Sequence, residues 1–112
     1  MLEVLEVKIN VPLARGASGT DFRTAVSEKW LPALEKFQPQ LLLISAGFDA
    51  HIEDDMGGLA LVEADYVWVT EVLKGLAKRH AGNRIVSTLE GGYALHALGR
   101  SATAHIKVLA GL

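Results

Sequence analysis

The chain has no cysteine, which excludes disulfides and thiolate metal sites and leaves carboxylate and imidazole as its only strong metal ligands. It has three prolines in 112 residues, so each one punctuates a particular segment. It has no long apolar run. The longest, Leu41 to Ile44 continued by Ser45 and Ala46, is far too short to span a bilayer. It also lacks an excess of positive charge: the formal net charge of −2 offers no electrostatic reason to expect nucleic acid or an anionic membrane as partner. The first residues alternate Leu, Glu, Val and Lys and do not resemble a secretory signal, so a cytoplasmic location is the expectation. Several motifs are missing too. There is no Gly-x-x-x-x-Gly-Lys phosphate loop, no Gly-x-Gly-x-x-Gly dinucleotide turn and no His-Glu-x-x-His pair. Ser45-Ala46-Gly47 does not complete a nucleophile elbow.

What remains is half apolar, enough to bury a core, and residues 1–112 read as one segment of a single domain with no internal boundary. Residues 2–11 place Leu2, Val4, Val7, Ile9 and Val11 among polar neighbours, a loose strand pattern. Pro12 and the small residues of 16–20 break it. Thr20 or Asp21 is suited to cap a helix in which Phe22, Val26, Trp30, Ala33 and Phe37 form the buried stripe. Pro32 should kink or restart that helix, and Pro39 ends it. Residues 41–45 have the continuous apolar character of a strand covered on both faces. After a Gly- and Asp-rich loop over 46–58, a second helix carries Val62, Tyr66, Val69, Leu73 and Leu76 on one side. Lys78, Arg79 and His80 suit its C-terminal end, and Gly82 or Asn83 can close it. A strand over 84–89, a turn over 90–93 and a helix over 94–109 with Leu95, Leu98, Ala102 and Ile106 inward complete the chain. The fold class is therefore α/β, ordered β-α-β-α-β-α, with a parallel three-stranded sheet and flanking helices. Ligands of such sheets sit beyond the carboxyl ends of the strands, which singles out the loops at 12–20, 47–58 and 90–93.

Two constellations lie in those loops. In Ser45-Ala46-Gly47-Phe48-Asp49-Ala50-His51, a carboxylate and an imidazole two residues apart are ligand types that zinc accepts. Spacing alone equally allows Asp49 to cap a turn and His51 to be a loop residue. In Glu90-Gly91-Gly92-Tyr93, the glycines permit a tight turn and a close approach, and a tyrosine hydroxyl there can donate to an oxyanion. An ordinary turn with Tyr93 packed across the sheet end fits as well. Glu53, Asp54 and Asp55 read as a solvated acidic loop, and His80 as a structural residue at a helix end. His96 and His105 are out of step on one helix and so are poor partners for a shared metal. Trp30 and Trp68, in helical segments, read as core or interface residues.

Together, Asn10-Val11-Pro12-Leu13, Leu31-Pro32-Ala33-Leu34, the block from Ser45 to His51 and Leu89-Glu90-Gly91-Gly92-Tyr93 resemble the C-terminal third of the histone deacetylase superfamily, including its acetylpolyamine amidohydrolase and acetoin-utilisation members. The resemblance implies a partial arginase/deacetylase fold and a zinc hydrolase that removes acetyl groups from small amines or acetyl-lysine. It implies Asp49 as zinc ligand, Tyr93 as the residue that polarises the scissile carbonyl, Gly91 and Gly92 beside the substrate's acyl group, and His51 at most in support of the metal site. Asp55 matches an aspartate that the family follows with proline; here Met56 follows. The family's Asp-x-His ligand block and paired histidines have no counterpart here, so the chain alone is expected to bind zinc weakly and to be inactive. An uncovered sheet edge is expected to drive self-association. The alternative is a non-catalytic α/β interaction module that has kept the fold and lost the chemistry.

Overall fold

The computed structural model describes residues 8–112. Along them run α1 (Gly19–Ala25), a π-helical turn (Val26–Trp30), α2 (Leu31–Phe37), β1 (Leu42–Ala46), α3 (Glu63–His80), β2 (Ile85–Leu89) and α4 (Leu95–Ala110). β1 and β2 pair in parallel, with Leu42 opposite Ile85 and Ala46 opposite Leu89. The α/β class and the parallel pairing follow the sequence reading. The strand expected over 2–11 lies mostly outside the described residues, and residues 8–11 are not in a strand, so the described residues hold two strands of the three expected.

The first helical segment departs from its predicted stripe for a reason visible in the sequence. Pro32 has no N–H to give to the carbonyl four residues back. The chain widens the preceding turn instead: the Leu31 amide bonds to the Val26 carbonyl, five residues away. One extra residue in the turn rotates everything after it. The buried side therefore runs Phe22, Val26, Leu31, Leu34, while Trp30 and Phe37 turn toward solvent. The cap is also earlier than expected, at Ser18. Its hydroxyl accepts the Asp21 amide at 3.3 Å, and the Asp21 carboxylate accepts the Ser18 amide at 2.9 Å. Gln38, left-handed at φ 53°, and Pro39 stop α2.

α3 and α4 pack on one face of the sheet. Leu42, Leu76, Ala77 and Ala81 form one core, backed by Leu31, Leu34, Leu73 and Ile85. Phe48, Leu61 and Tyr66 form a second under the carboxyl ends of the strands, with Phe22, Ala46, Ala50, Leu98 and Ala102 around it. The C-terminal end of α3 is as expected: Gly82 and Asn83 both have positive φ, and Arg79 and His80 reach Glu35. α4 buries Ala97, Ser101 and His105 with Leu98 and Ala102 half-buried, whereas Leu95 and Ile106, expected inward, are exposed. A strand covered on both faces was also expected at β1. Leu43 is instead 74% exposed and its register partner Val86 is 56% exposed, because among the described residues helices cover one face only.

Polar contacts join α3, β2 and α4 around His105. Thr70 spends its hydroxyl proton on the Tyr66 carbonyl at 2.6 Å, so it accepts from His105 Nδ1 at 2.8 Å. That leaves Nε2 to accept the Ser87 hydroxyl at 2.8 Å. The ring is neutral in this network, and burial lowers its pKa. Below about pH 6.5 the unfolded chain takes up a proton that the buried ring resists, so stability should fall as pH drops through that value. Denaturant midpoints measured from about pH 7.5 down to about pH 5 should show this loss, and His105→Gln should flatten it. An equal acid loss in His105→Gln would assign the effect to other groups.

Candidate active site

Because β1 and β2 are parallel, the loops that follow them emerge at the same rim. They are also tied together. The Glu90 amide donates to the Ala46 carbonyl at 3.0 Å and the Phe48 amide donates to the Gly91 carbonyl at 2.8 Å, which carries the strand pairing past the strand ends. Asp49 follows at once, half-buried, with its carboxylate against the facing loop. A Cβ at Gly91 would stand 2.8 Å from Asp49 Oδ2, and one at Gly47 would stand 3.1 Å from Oδ1. Gly91 thus has a local reason to be glycine: it makes room for the Asp49 carboxylate. Gly92 has φ +148°, and a Cβ there would meet Leu98 Cδ1 at 2.8 Å, so the turn lies directly on α4. Tyr93 comes next, with its side chain 60% exposed at the rim.

His51, two residues past Asp49, is 1% exposed. Its Nδ1 accepts the Glu53 amide at 3.0 Å, so the ring proton lies on Nε2, 2.6 Å from a Glu63 carboxylate oxygen. Both ring nitrogens are engaged away from Asp49. Arg100 bonds Glu53 and Glu63 in turn. His51, Glu53 and Glu63 bring one potential ligand atom each within 4.8 Å of one another. The guanidinium already balances the two carboxylates, and the Glu53 amide occupies a ring nitrogen, so the set functions as an ion-pair network linking the loop to α3 and α4. Among the described residues, no group of three His, Asp or Glu ligands includes Asp49. Catalytic zinc takes three protein ligands and keeps an open position. Asp49 fits one of those three places, and the described residues do not supply the whole set.

In the acidic run, Glu53 and Asp55 are exposed as a solvated loop would have them, but Asp54 is not. Asp54 is 4% exposed, and its carboxylate accepts the Tyr93 amide at 2.7 Å, the Ala94 amide at 3.2 Å and the Met56 amide at 2.8 Å. The Tyr93 amide, first among these donors, holds the Asp54 pKa below the ordinary carboxylate value. Asp55, singled out from the resemblance, is exposed, and Asp54 carries the contacts. One sequence signal pointed to this. Ala94 precedes α4 with no capping side chain of its own, so the amides at that end need an acceptor from another loop. Tyr66 is a second residue the sequence reading did not place at the site. Its buried hydroxyl has no hydrogen-bond partner among the described residues. Burial first, and the Asp49 carboxylate second, push its pKa well above the usual phenol value, and the Ala50 amide, out of hydrogen-bonding geometry, opposes that rise.

The sequence model of the histone deacetylase domain matches residues 3–109. The chain belongs to the histone deacetylase family. The resemblance carried by the four sequence blocks is thereby borne out. This deacetylase-family chain is 43% identical over 101 residues to type-2 histone deacetylase 1 of Dictyostelium discoideum, covering 90% of the chain and 7% of that protein. It is 39% identical over 85 residues to the histone deacetylase-like amidohydrolase of Pseudomonas aeruginosa, covering 76% of the chain and 22% of the relative. The crystal structure of the HDA15 HD domain superposes with a TM-score of 0.79 at 38% identity, over 86% of this chain and 26% of that one. The chain thus spans about a quarter or less of each of these relatives. No helix among the described residues is long and apolar enough to cross a membrane.

Proposed function

We propose that this chain is the C-terminal segment of a zinc-dependent deacetylase that hydrolyses acetylated small amines or acetyl-lysine. The observation that supports this reading is the shared rim: in a histone deacetylase family chain, the Asp49 carboxylate lies against Gly91, two residues before Tyr93. When bound, zinc would polarise the substrate carbonyl and acidify an attacking water. Asp49 would supply one carboxylate ligand to it. Gly91 and Gly92 would bring the turn's backbone beside the acyl group, since their missing side chains make room for the Asp49 carboxylate and for Leu98. The Tyr93 hydroxyl, at the exposed rim, would donate to the carbonyl oxygen as negative charge develops there. His51 would act only through the loop it holds.

With a single ligand, the chain alone should bind zinc more weakly than about micromolar and show no turnover. Calorimetric titration of the chain with zinc tests this. Micromolar or tighter binding that survives Asp49→Ala would put the metal elsewhere and remove Asp49 from the reading. We also propose self-association through the uncovered sheet. Leu43 and Val86 lie exposed as register partners, and each strand has one edge unpaired among the described residues. A non-catalytic interaction module would use the same face. It differs in predicting that Tyr93 and Asp49 can be replaced in the assembled protein without loss.

A further inference from the structure

We propose that Asp54 is the positioning residue for Tyr93, an inference that deepens the function proposed above and rests on it. No hydrogen bond of the phenol to the rest of the chain is present among the described residues, so the height and direction of the side chain are set by its backbone. That backbone is held by Asp54 Oδ2, which accepts the amides of Tyr93 and Ala94 at 2.7 and 3.2 Å. The carboxylate is itself fixed before it reaches across. Its Oδ1 accepts the Met56 amide at 2.8 Å, and the Asp54 amide donates to the His51 carbonyl at 2.9 Å. The turn that presents it is pinned by His51, whose Nδ1 accepts the Glu53 amide and whose Nε2 meets Glu63 on α3. A continuous line of contacts thus runs from α3 through His51 and Asp54 to the amide of Tyr93. Because residues 47–58 also carry Asp49, the same turn sets Tyr93 relative to Asp49. A buried carboxylate that accepts two successive amides restrains both loop height and twist, which a single bond does not. It also lies at the N-terminal end of α4, where negative charge is favoured.

The test uses Asp54→Asn, nearly isosteric with one acceptor oxygen, alongside Asp54→Ala. In the 112-residue chain, amide exchange at Tyr93 and Ala94 should quicken by about tenfold or more in both variants, while exchange in the middle of α3 stays as in the parent. If Asp54→Ala unfolds the chain, Asp54→Asn decides. Unchanged exchange at Tyr93 and Ala94 overturns the positioning role. In the assembled catalytic domain, Asp54→Asn should lower kcat with little change in KM, and should cost nothing further when Tyr93 is already phenylalanine. A full additional loss in the double variant would mean that Asp54 acts on something other than Tyr93. The two readings fail separately. Faster exchange in the Asp54 variants with undiminished turnover in Tyr93→Phe would sink the catalytic role of Tyr93 and leave the clamp standing.

Discussion

Replacing Tyr93 by phenylalanine should lower kcat of the assembled catalytic domain by about a hundred- to a thousandfold while leaving KM and zinc content nearly unchanged. The size follows from what is removed. One hydroxyl proton is lost, and it is needed only when the carbonyl oxygen becomes an oxyanion, so the loss falls on the transition state and not on substrate binding. The fold should tolerate the change, because the ring is 60% exposed and the loop is held through its amide, which phenylalanine retains. Asp49 lies against Gly91 and does not depend on the phenol, so metal retention should be unaffected. Turnover equal to the parent enzyme would exclude Tyr93 from the chemistry. Equal loss of zinc and turnover would point to a disturbed site instead.

The second large effect concerns the bare sheet face. The chain should show concentration-dependent mass in light scattering or sedimentation, and Leu43→Lys with Val86→Lys should return it to a monomer. Each of these side chains is more than half exposed, and the two stand opposite each other in register. Covering a Leu or Val fully is worth roughly 1.5–3 kcal/mol. A two-fold contact would cover each residue on both copies, and about 1.4 kcal/mol is tenfold in a dissociation constant. Placing lysines there replaces that gain with like charges facing one another, a device that sheet edges use against pairing. The double variant should therefore weaken association by well over about tenfold. A monomer at every concentration in the parent chain would remove the self-association proposal and leave the active-site reading untouched.

Local signals carried much of this molecule. The helix ends at Pro39 and at Gly82–Asn83 were legible because missing amide donors and positive φ are properties of single residues. The two βα loops were legible because glycines and chemically capable side chains follow apolar strands. The errors around the site and on α4 have one form, which is that distant partners decided. His51 looked like an exposed loop residue, yet it is buried, and Glu63, twelve residues on, and the Glu53 amide take both of its nitrogens. Asp54 looked solvated because its acceptors' partners, Tyr93 and Ala94, are about forty residues away. Leu95 and Ile106 were read as inward because a helical period marks an apolar side without saying what lies opposite. Ser101 and His105 took that place, with His105 bonded to Thr70 and Ser87.

By itself the sequence determined the family, the alternation of strand and helix, and the end of the sheet at which the Asp49 and Tyr93 loops gather, since strand order, period and turn residues are written locally. Only the tertiary structure decided that the room at Gly91 is taken by the Asp49 carboxylate, that Asp54 and not Asp55 grips the tyrosine loop, and that among the described residues one face of the sheet stands uncovered. Those outcomes depend on which loops and helices the parallel pairing of β1 and β2 brings within bonding distance, and no period along one chain encodes that distance.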